Sequence, residues 1–295
     1  MTGPVTALRI VSIIFPVFAV VFTGWAYGKH RPADMTFINQ LNMEIFLPAL
    51  VFGQLASRSF DLARYQGLAW GVLLMVAGSG LLGWALARGI GVAPKTFVPS
   101  MMFNNCGNLG LPLAALAFGD AALAPAVVML LVTNLIQFSF GNWLLDHHAR
   151  WWNIWRVPVV MATFAGLAYS FTGRDLWQPL QVPLKMLGDV SIPLLLFALG
   201  VRIAQSHLKA FRIGVIGALA RPAIGLGLTT GIALLLGLHG QERAMLLLYG
   251  ALPPAVLNYI FAERYFQGPD EVSAIVIVGN IAAVAIIPLV LAFVL

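Results

Sequence analysis

The stretch Asn104-Asn105-Cys106-Gly107-Asn108-Leu109-Gly110-Leu111-Pro112 interrupts a long apolar segment, and its reading decides the fold. Three asparagines, two glycines and a proline within nine residues do not continue an ordinary lipid-facing helix. Pro112 lacks an N–H and clashes with the preceding turn, and the glycines lower helix propensity. Inside a bilayer, backbone freed in this way is tolerated only where it faces protein or an enclosed cavity. The motif therefore predicts a membrane helix broken around an internal site.

The flanking sequence agrees. Of 295 residues, 60% are hydrophobic and 9% charged, against roughly a quarter charged in a soluble domain. This excludes a soluble enzyme, a nucleic-acid binder and a membrane protein with a large extramembrane domain. Apolar runs bounded by charge, Gly or Pro predict ten spans, over 7–28, 36–57, 65–87, 96–118, 122–145, 156–172, 183–203, 209–237, 243–264 and 271–294. None shows the alternation of a barrel strand. The expected fold class is an all-α integral membrane protein. The run Ile10 to Phe22 reads as a retained first span, because Lys29 and Arg31 follow it and no small-residue cleavage site is convincing. The long run 209–237 has room for a break at Arg221-Pro222.

The loops orient the chain. One side holds Arg9, Arg58, Arg64, Arg174, Lys185 and Arg243; the other holds Lys29, Arg31, Arg88, Lys95, Arg150, Arg156, Arg202, Lys209, Arg212 and Arg264. The richer side is expected in the cytoplasm, with both termini outside. The net charge of +6 thus reports topology, not a basic patch. Cys106 is the only cysteine, so no intrachain disulfide forms and the redox compartment is not legible; it reads as a small packing residue.

A repeat is visible. Glu44 to Pro48, followed by Phe52, matches Asp189 to Pro193, followed by Phe197, at an offset of 145 residues; Val132-Thr133-Asn134-Leu135 recurs as Val278-Gly279-Asn280-Ile281 at 146. Five spans per half is an odd number, so the second copy enters the membrane from the opposite side. This is the inverted repeat common in secondary transporters. The expected domains are 1–146 and 156–295, joined by a short cytoplasmic linker, 147–155.

The ninth span, fourth of its half, carries Pro253-Pro254 and then Asn258. Corresponding spans are both interrupted, which points to a midplane site. Half-helices starting after Pro112 and after Pro254 would present unpaired amides with partial positive charge, a fit for a carboxylate. Asn104, Asn105, Asn108 and Asn258 add neutral donors and acceptors beside Gly107 and Gly110. The plainer alternative is a kinked helix with asparagines bonding between helices. Glu44 and Asp189 occupy matched positions and would gate or carry protons on opposite faces; the simpler reading puts both at interfaces, with Asp189 paired to Lys185. Arg221 would attract an anion or bond carbonyls freed by Pro222, and Asn134 and Asn280 would line or brace the site. His147-His148 reads as a solvated loop and the tryptophans as interfacial anchors. No metal or cofactor motif is present, and nothing suggests ATP-driven work.

These residues resemble the auxin efflux carrier family in its compact bacterial form. The resemblance spans nearly the whole chain. It rests on Leu47-Pro48-Ala49-Leu50-Val51-Phe52, Asn105 to Pro112, Ser191-Ile192-Pro193 through Gly200, and Leu252-Pro253-Pro254-Ala255. It implies two inverted five-helix repeats with crossed broken helices 4 and 9, similar to the bile-acid symporter and sodium/proton antiporter fold. A scaffold of spans 1, 2, 6 and 7, able to dimerise, would hold a mobile core of spans 3–5 and 8–10. It further implies elevator-type carriage of a small organic anion, such as a carboxylate, across a bacterial inner membrane, with membrane lipid as the other partner. Two departures matter. The loop between halves is short, so regulation through it is not implied. The broken helices also lack central carboxylates, Glu263 being the nearest, which leaves proton coupling, sodium coupling and uniport open. The competing readings are a sodium-coupled symporter of larger amphipathic acids and, from another class, a lipid-modifying membrane enzyme.

Overall fold

The computed structural model describes residues 3–31, 34–56, 63–146, 155, 157–205 and 209–295, with side chains from Leu8 onward. Apart from Trp155 the expected linker 147–155, with His147-His148, lies outside the described residues, as do Arg58 and Arg156.

An apolar chain deprived of water must bond its backbone internally, and helices do so within one segment. Accordingly every described element is helical. The chain runs through α1 (Gly3–His30), α2 (Thr36–Leu41), α3 (Leu47–Leu55), α4 (Gln66–Gly89), α5 (Pro94–Met102), α6 (Leu111–Phe118), α7 (Leu123–Ile136), α8 (Asn142–Leu145), α9 (Pro158–Ser170), α10 (Gln178–Gln205), α11 (Phe211–Leu235), α12 (Gly240–Ala251), α13 (Val256–Arg264) and α14 (Pro269–Val294). Single π-helical turns join α2 to α3, lead into α6 and join α7 to α8. Six helical stretches are long and apolar enough to cross a membrane: Leu8–His30, Ala63–Gly89, Asp120–Leu145, Gln178–Gln205, Phe211–Leu235 and Pro269–Val294. Where a break had room at Arg221-Pro222, α11 continues with Pro222 inside it.

Large apolar side chains cover the outside, including Phe15, Phe22, Leu81, Leu235 and Phe293. Such a surface needs lipid, and the chain is a multi-pass membrane protein. Its helices pair in a regular pattern. α1 packs along α10 and α3 along α9; α4 packs on α5 and α7, and α11 on α12 and α14. The tightest approaches run through glycine. A Cβ at Gly200 would stand 1.9 Å from the Val21 carbonyl oxygen, and one at Gly24 would stand 2.1 Å from that of Phe197. Backbone contact of this kind gives dispersion energy between helices that share no hydrophobic drive to associate in lipid.

The matched acids lie outside this core. Glu44 is exposed and accepts from Gln40 Nε2 at 2.9 Å. Asp189 pairs with Lys185 at 3.1 Å, their side chains 60% and 77% exposed. Pairs this open contribute little. Asp189→Asn should leave the melting temperature in detergent unchanged; a clear fall would show that the pair is buried in the membrane-embedded protein.

A candidate site at the crossing of two interrupted helices

Helix α5 stops at Met102, and Phe103 turns extended at φ −104°, ψ 111°. Helix α12 stops at Ala251, and Leu252 and Ala255 are extended as well. The two extended segments meet antiparallel at Asn104 and Pro254. Asn105 N–H donates to the Pro253 carbonyl at 2.7 Å, and Ala255 N–H donates to the Phe103 carbonyl at 3.0 Å. The prolines explain the arrangement: having no N–H, Pro253 and Pro254 leave no donor stranded, while Pro253 still offers its carbonyl. Each interruption satisfies the other.

The asparagines close the remaining gaps. Asn104 Nδ2 donates to the Tyr249 carbonyl at 2.7 Å, in the last turn of α12, where the Leu252 N–H reaches the same oxygen only at 3.3 Å. Asn258 Nδ2 donates to the Phe103 carbonyl at 2.9 Å and its Oδ1 accepts from Gln137 Nε2 at 3.1 Å. From α14, Asn280 Nδ2 donates to the Pro254 and Val276 carbonyls at 3.1 and 2.8 Å, while Asn105 Nδ2 donates to Asn280 Oδ1 at 2.8 Å. All five amide side chains are buried.

Arg221 is fully buried beside this network. Its Nη1 donates to the Gly250 carbonyl at 3.1 Å, the penultimate residue of α12. The guanidinium therefore reaches a neighbouring helix and complements the negative end of α12, instead of bonding carbonyls freed by Pro222. Its Nε and Nη2 have no hydrogen-bond partner among the described residues. Among the described residues Arg221 is the one charged side chain in the buried set.

The second half of the interrupted fourth span begins earlier than the motif predicts. Its first turn is the π turn Cys106–Gly110, with Leu109 and Gly110 N–H both donating to the Asn105 carbonyl at 3.1 Å. Pro112 sits in the following turn, where its missing N–H costs little; the break lies at 103–105, not after Pro112. In the ninth span the second half does start just after Pro254, at Val256.

The structure thus brings Asn104, Asn105, Pro253, Pro254, Asn258 and Asn280 into one cluster and puts Gly107, Asn108, Gly110 and Pro112 in the turns that leave it. Asn108 is half-buried and makes no side-chain hydrogen bond to any described residue. Asn134 is buried but takes no part in the network. Three members escaped the sequence reading: Gln137, Tyr249, and Thr133, whose hydroxyl meets that of Tyr249. The available signal was a lone glutamine one turn beyond Asn134 in an apolar run.

A cavity of about 430 Å³ opens beside the crossing, between Met35, Thr36, Asn39 and α10 on one side and α13 and α14 on the other. Asp34 at its rim caps α2 through Thr36 N–H at 2.8 Å. Hydrogen bonds from the Thr36 hydroxyl and amide hold the Asp34 carboxyl below the usual aspartate range. Arg202, Tyr259 and Ser273 line the cavity and also a narrow pocket beneath it, whose wall includes Val256 and Asn280.

Two interrupted helices crossing inside an apolar, many-helix chain define a membrane transport protein. The chain belongs to the membrane transport protein family, that of the auxin efflux carriers, whose model matches residues 9–151 and 147–291. It is similar to a Rhizobium meliloti protein named "Putative malonate transporter", at 26% identity over 94% of this chain and 93% of that protein. A transporter of Methanothermobacter thermautotrophicus is 26% identical over 94% of this chain and 95% of its own length. Auxin efflux carrier component 6 of Arabidopsis thaliana is 29% identical over 63% of this chain and 31% of that protein.

Proposed function

We propose that the chain is a secondary carrier of a small organic anion in a bacterial inner membrane, working by elevator-type alternating access. The observation that carries this reading is the antiparallel crossing at Asn104 and Pro254. It aims the first turns after Asn105 and Ala255 at one place in the membrane interior, where the Cys106 and Asn258 N–H groups are engaged locally and those of Gly107, Asn108, Val256 and Leu257 are unshared among the described residues. A carboxylate is favoured at such ends without a formal cation, and the buried Arg221 guanidinium adds positive potential from α11. Asn108, half-buried with its amide uncommitted, is the side chain of the motif left to meet a solute. The name of the Rhizobium relative supports a carboxylate.

The ten segments form two inverted repeats, 1–146 and 156–295, with both termini periplasmic. The packing pattern supports this: moving five spans along the chain converts the α1–α10 pair into α9–α3, α4–α7 into α11–α14, and α4–α5 into α11–α12. Spans 1, 2, 6 and 7 form the scaffold, through which two copies pair, and spans 3–5 and 8–10 the moving core. Because the crossing hydrogen-bonds α5, α6, α12 and α13 together, the core travels as one piece.

Purified protein in liposomes should take up radiolabelled malonate or a close small carboxylate. Imposed sodium, proton and voltage gradients then identify the coupling. Asn108→Ala should raise KM about tenfold while the protein still folds, as loss of one hydrogen bond to a charged group does. No uptake of any acid in a panel of mono-, di- and tricarboxylates would overturn the proposal; strict sodium dependence with larger amphipathic acids would favour a symporter of the bile-acid type.

A further inference from the structure

We infer that Asn42 in span 2, with Ser191 in span 7, binds the uncharged end of the substrate, so that a small diacid is carried as its monoanion with the second carboxyl protonated. The inference rests on the organic-anion reading above and adds the ionic form of the solute.

Position comes first. Spans 2 and 7 run antiparallel. A Cβ at Gly188 would stand 2.9 Å from Leu50 Cα, whereas Asn39, earlier in span 2, shares the cavity of about 430 Å³ with Ala198, later in α10. Asn42 lies one turn deeper than Asn39 on the same helix face, and Ser191 lies two turns deeper than Ala198. The two side chains therefore continue the cavity's walls into the interior. Asn42 also opens the π turn Asn42–Phe46, against which α10 packs. Turns of this kind are frequent at functional sites. On another face α10 packs on the turn Cys106–Gly110, which carries Asn108.

The second observation is chemical. Asn42 is 1% exposed and Ser191 0%. Neither end of the Asn42 amide, nor the Ser191 hydroxyl, has a hydrogen-bond partner among the described residues. Asn104 and Asn142, by contrast, each use Nδ2 on a carbonyl. A bare amide is costly in an apolar interior, and a solute that bonds it recovers that cost. The amide presents an N–H donor beside a C=O acceptor. Its complement is a group with an acceptor and a donor side by side, as in a protonated carboxyl, joined by two parallel hydrogen bonds. An ionised carboxylate only accepts, so it would satisfy Nδ2 and face Oδ1 with like partial charge.

The surroundings agree. Among titratable side chains on the elements packed against this turn, Glu44, Lys185 and Asp189 are exposed. Tyr169 donates to the Asp175 carbonyl at 3.2 Å, and Arg202 lies over the Tyr259 ring. The ionised end of the diacid goes to the helix ends and Asn108, the neutral end to Asn42. A proton then crosses on the substrate, with no titrating group of the protein needed.

The test compares two monoanionic competitors of malonate uptake in proteoliposomes: malonamate, whose amide keeps a donor beside the acceptor, and monomethyl malonate, whose ester has lost the donor. Wild type, N42L and S191A are used, each first shown to be monodisperse in detergent. In the wild type malonamate should inhibit about tenfold more strongly than the ester, N42L should bring the two level, and S191A should narrow the gap about threefold. Above the second pKa of malonic acid, wild-type KM for total malonate should rise about tenfold per pH unit, while inhibition by malonamate stays flat. A purely structural role for Asn42 would lower rate and melting temperature and keep the inhibitor ratio. Equal inhibition by both competitors in the wild type, or the wild-type ratio in N42L, overturns the inference and leaves the carrier reading intact. If N42L does not fold, the wild-type ratio and pH profile decide. Uptake of monocarboxylates alone also overturns this inference by itself, whereas no uptake of any acid overturns both proposals.

Discussion

Gly225→Ala is expected to yield no folded protein. A Cβ at Gly225 would stand 1.9 Å from the Gly250 carbonyl oxygen, 2.8 Å from its carbon and 2.4 Å from Arg221 Nη1. The first two atoms are backbone of α12, at the point where that helix ends in the crossing, so no side-chain rotation relieves the clash. Either α11 moves off α12 or Arg221 loses its one hydrogen bond, to Gly250. Overpacking a core costs about 1–3 kcal/mol where side chains can yield, and here they cannot. Gly227 and Gly231, on the same helix, have open space where a Cβ would go. Alanine at either should be neutral or stabilising by about 0.5–1 kcal/mol. Size-exclusion chromatography and thermal melting in detergent separate the cases: a monodisperse Gly225→Ala protein with the wild-type melting temperature would disprove the close approach.

Asn258→Leu should abolish transport and strongly destabilise the protein. The amide serves two groups at once, the Phe103 carbonyl at 2.9 Å and the Gln137 amide at 3.1 Å, both in the interior. Leucine of similar size fills the space, leaves the Phe103 carbonyl with the Ala255 N–H alone and strands the buried Gln137 amide, at a cost of about 1–3 kcal/mol. That is a large share of the margin of about 5–15 kcal/mol that holds a folded protein. Adding Gln137→Leu removes one stranded donor and should restore part of the stability, a coupling read from the double-mutant cycle. Asn134→Leu, one turn from Gln137 and outside the network, should change little. Equal effects of Asn258→Leu and Asn134→Leu would show that the network is not what holds the crossing.

These two cases also mark what a sequence can tell. Asn104 to Pro112 and Pro253-Pro254 stand out because Asn, Gly and Pro have no place in an ordinary lipid-facing helix, so their presence flags a break wherever they occur. The position of the break is a different matter. Pro112 is harmless in the first turns of a helix, so the interruption moves back to 103–105, where the Pro253 and Phe103 carbonyls await partners. The network itself joins residues more than a hundred positions apart, Gln137 to Asn258 and Thr133 to Tyr249, and no local pattern announces such pairs. Glu44 and Asp189 show the converse: their matched positions are plain in the sequence, yet both side chains are exposed. Arg202 counts in the sequence as one more basic residue near a loop. Its place over the Tyr259 ring follows only once α10 and α13 meet.

The backbone exchange at the crossing bears on how such a chain is made. Synthesis delivers α5 and α6 long before α12 and α13. Until translation passes Ala255, the Phe103 carbonyl and the Asn105 amide have no strand to pair with, although they already belong to a segment bound for the membrane interior. The nascent protein therefore passes through a stage in which its most polar backbone must be sheltered by water, lipid headgroups or the insertion machinery. Biogenesis is completed by the second half closing over the first.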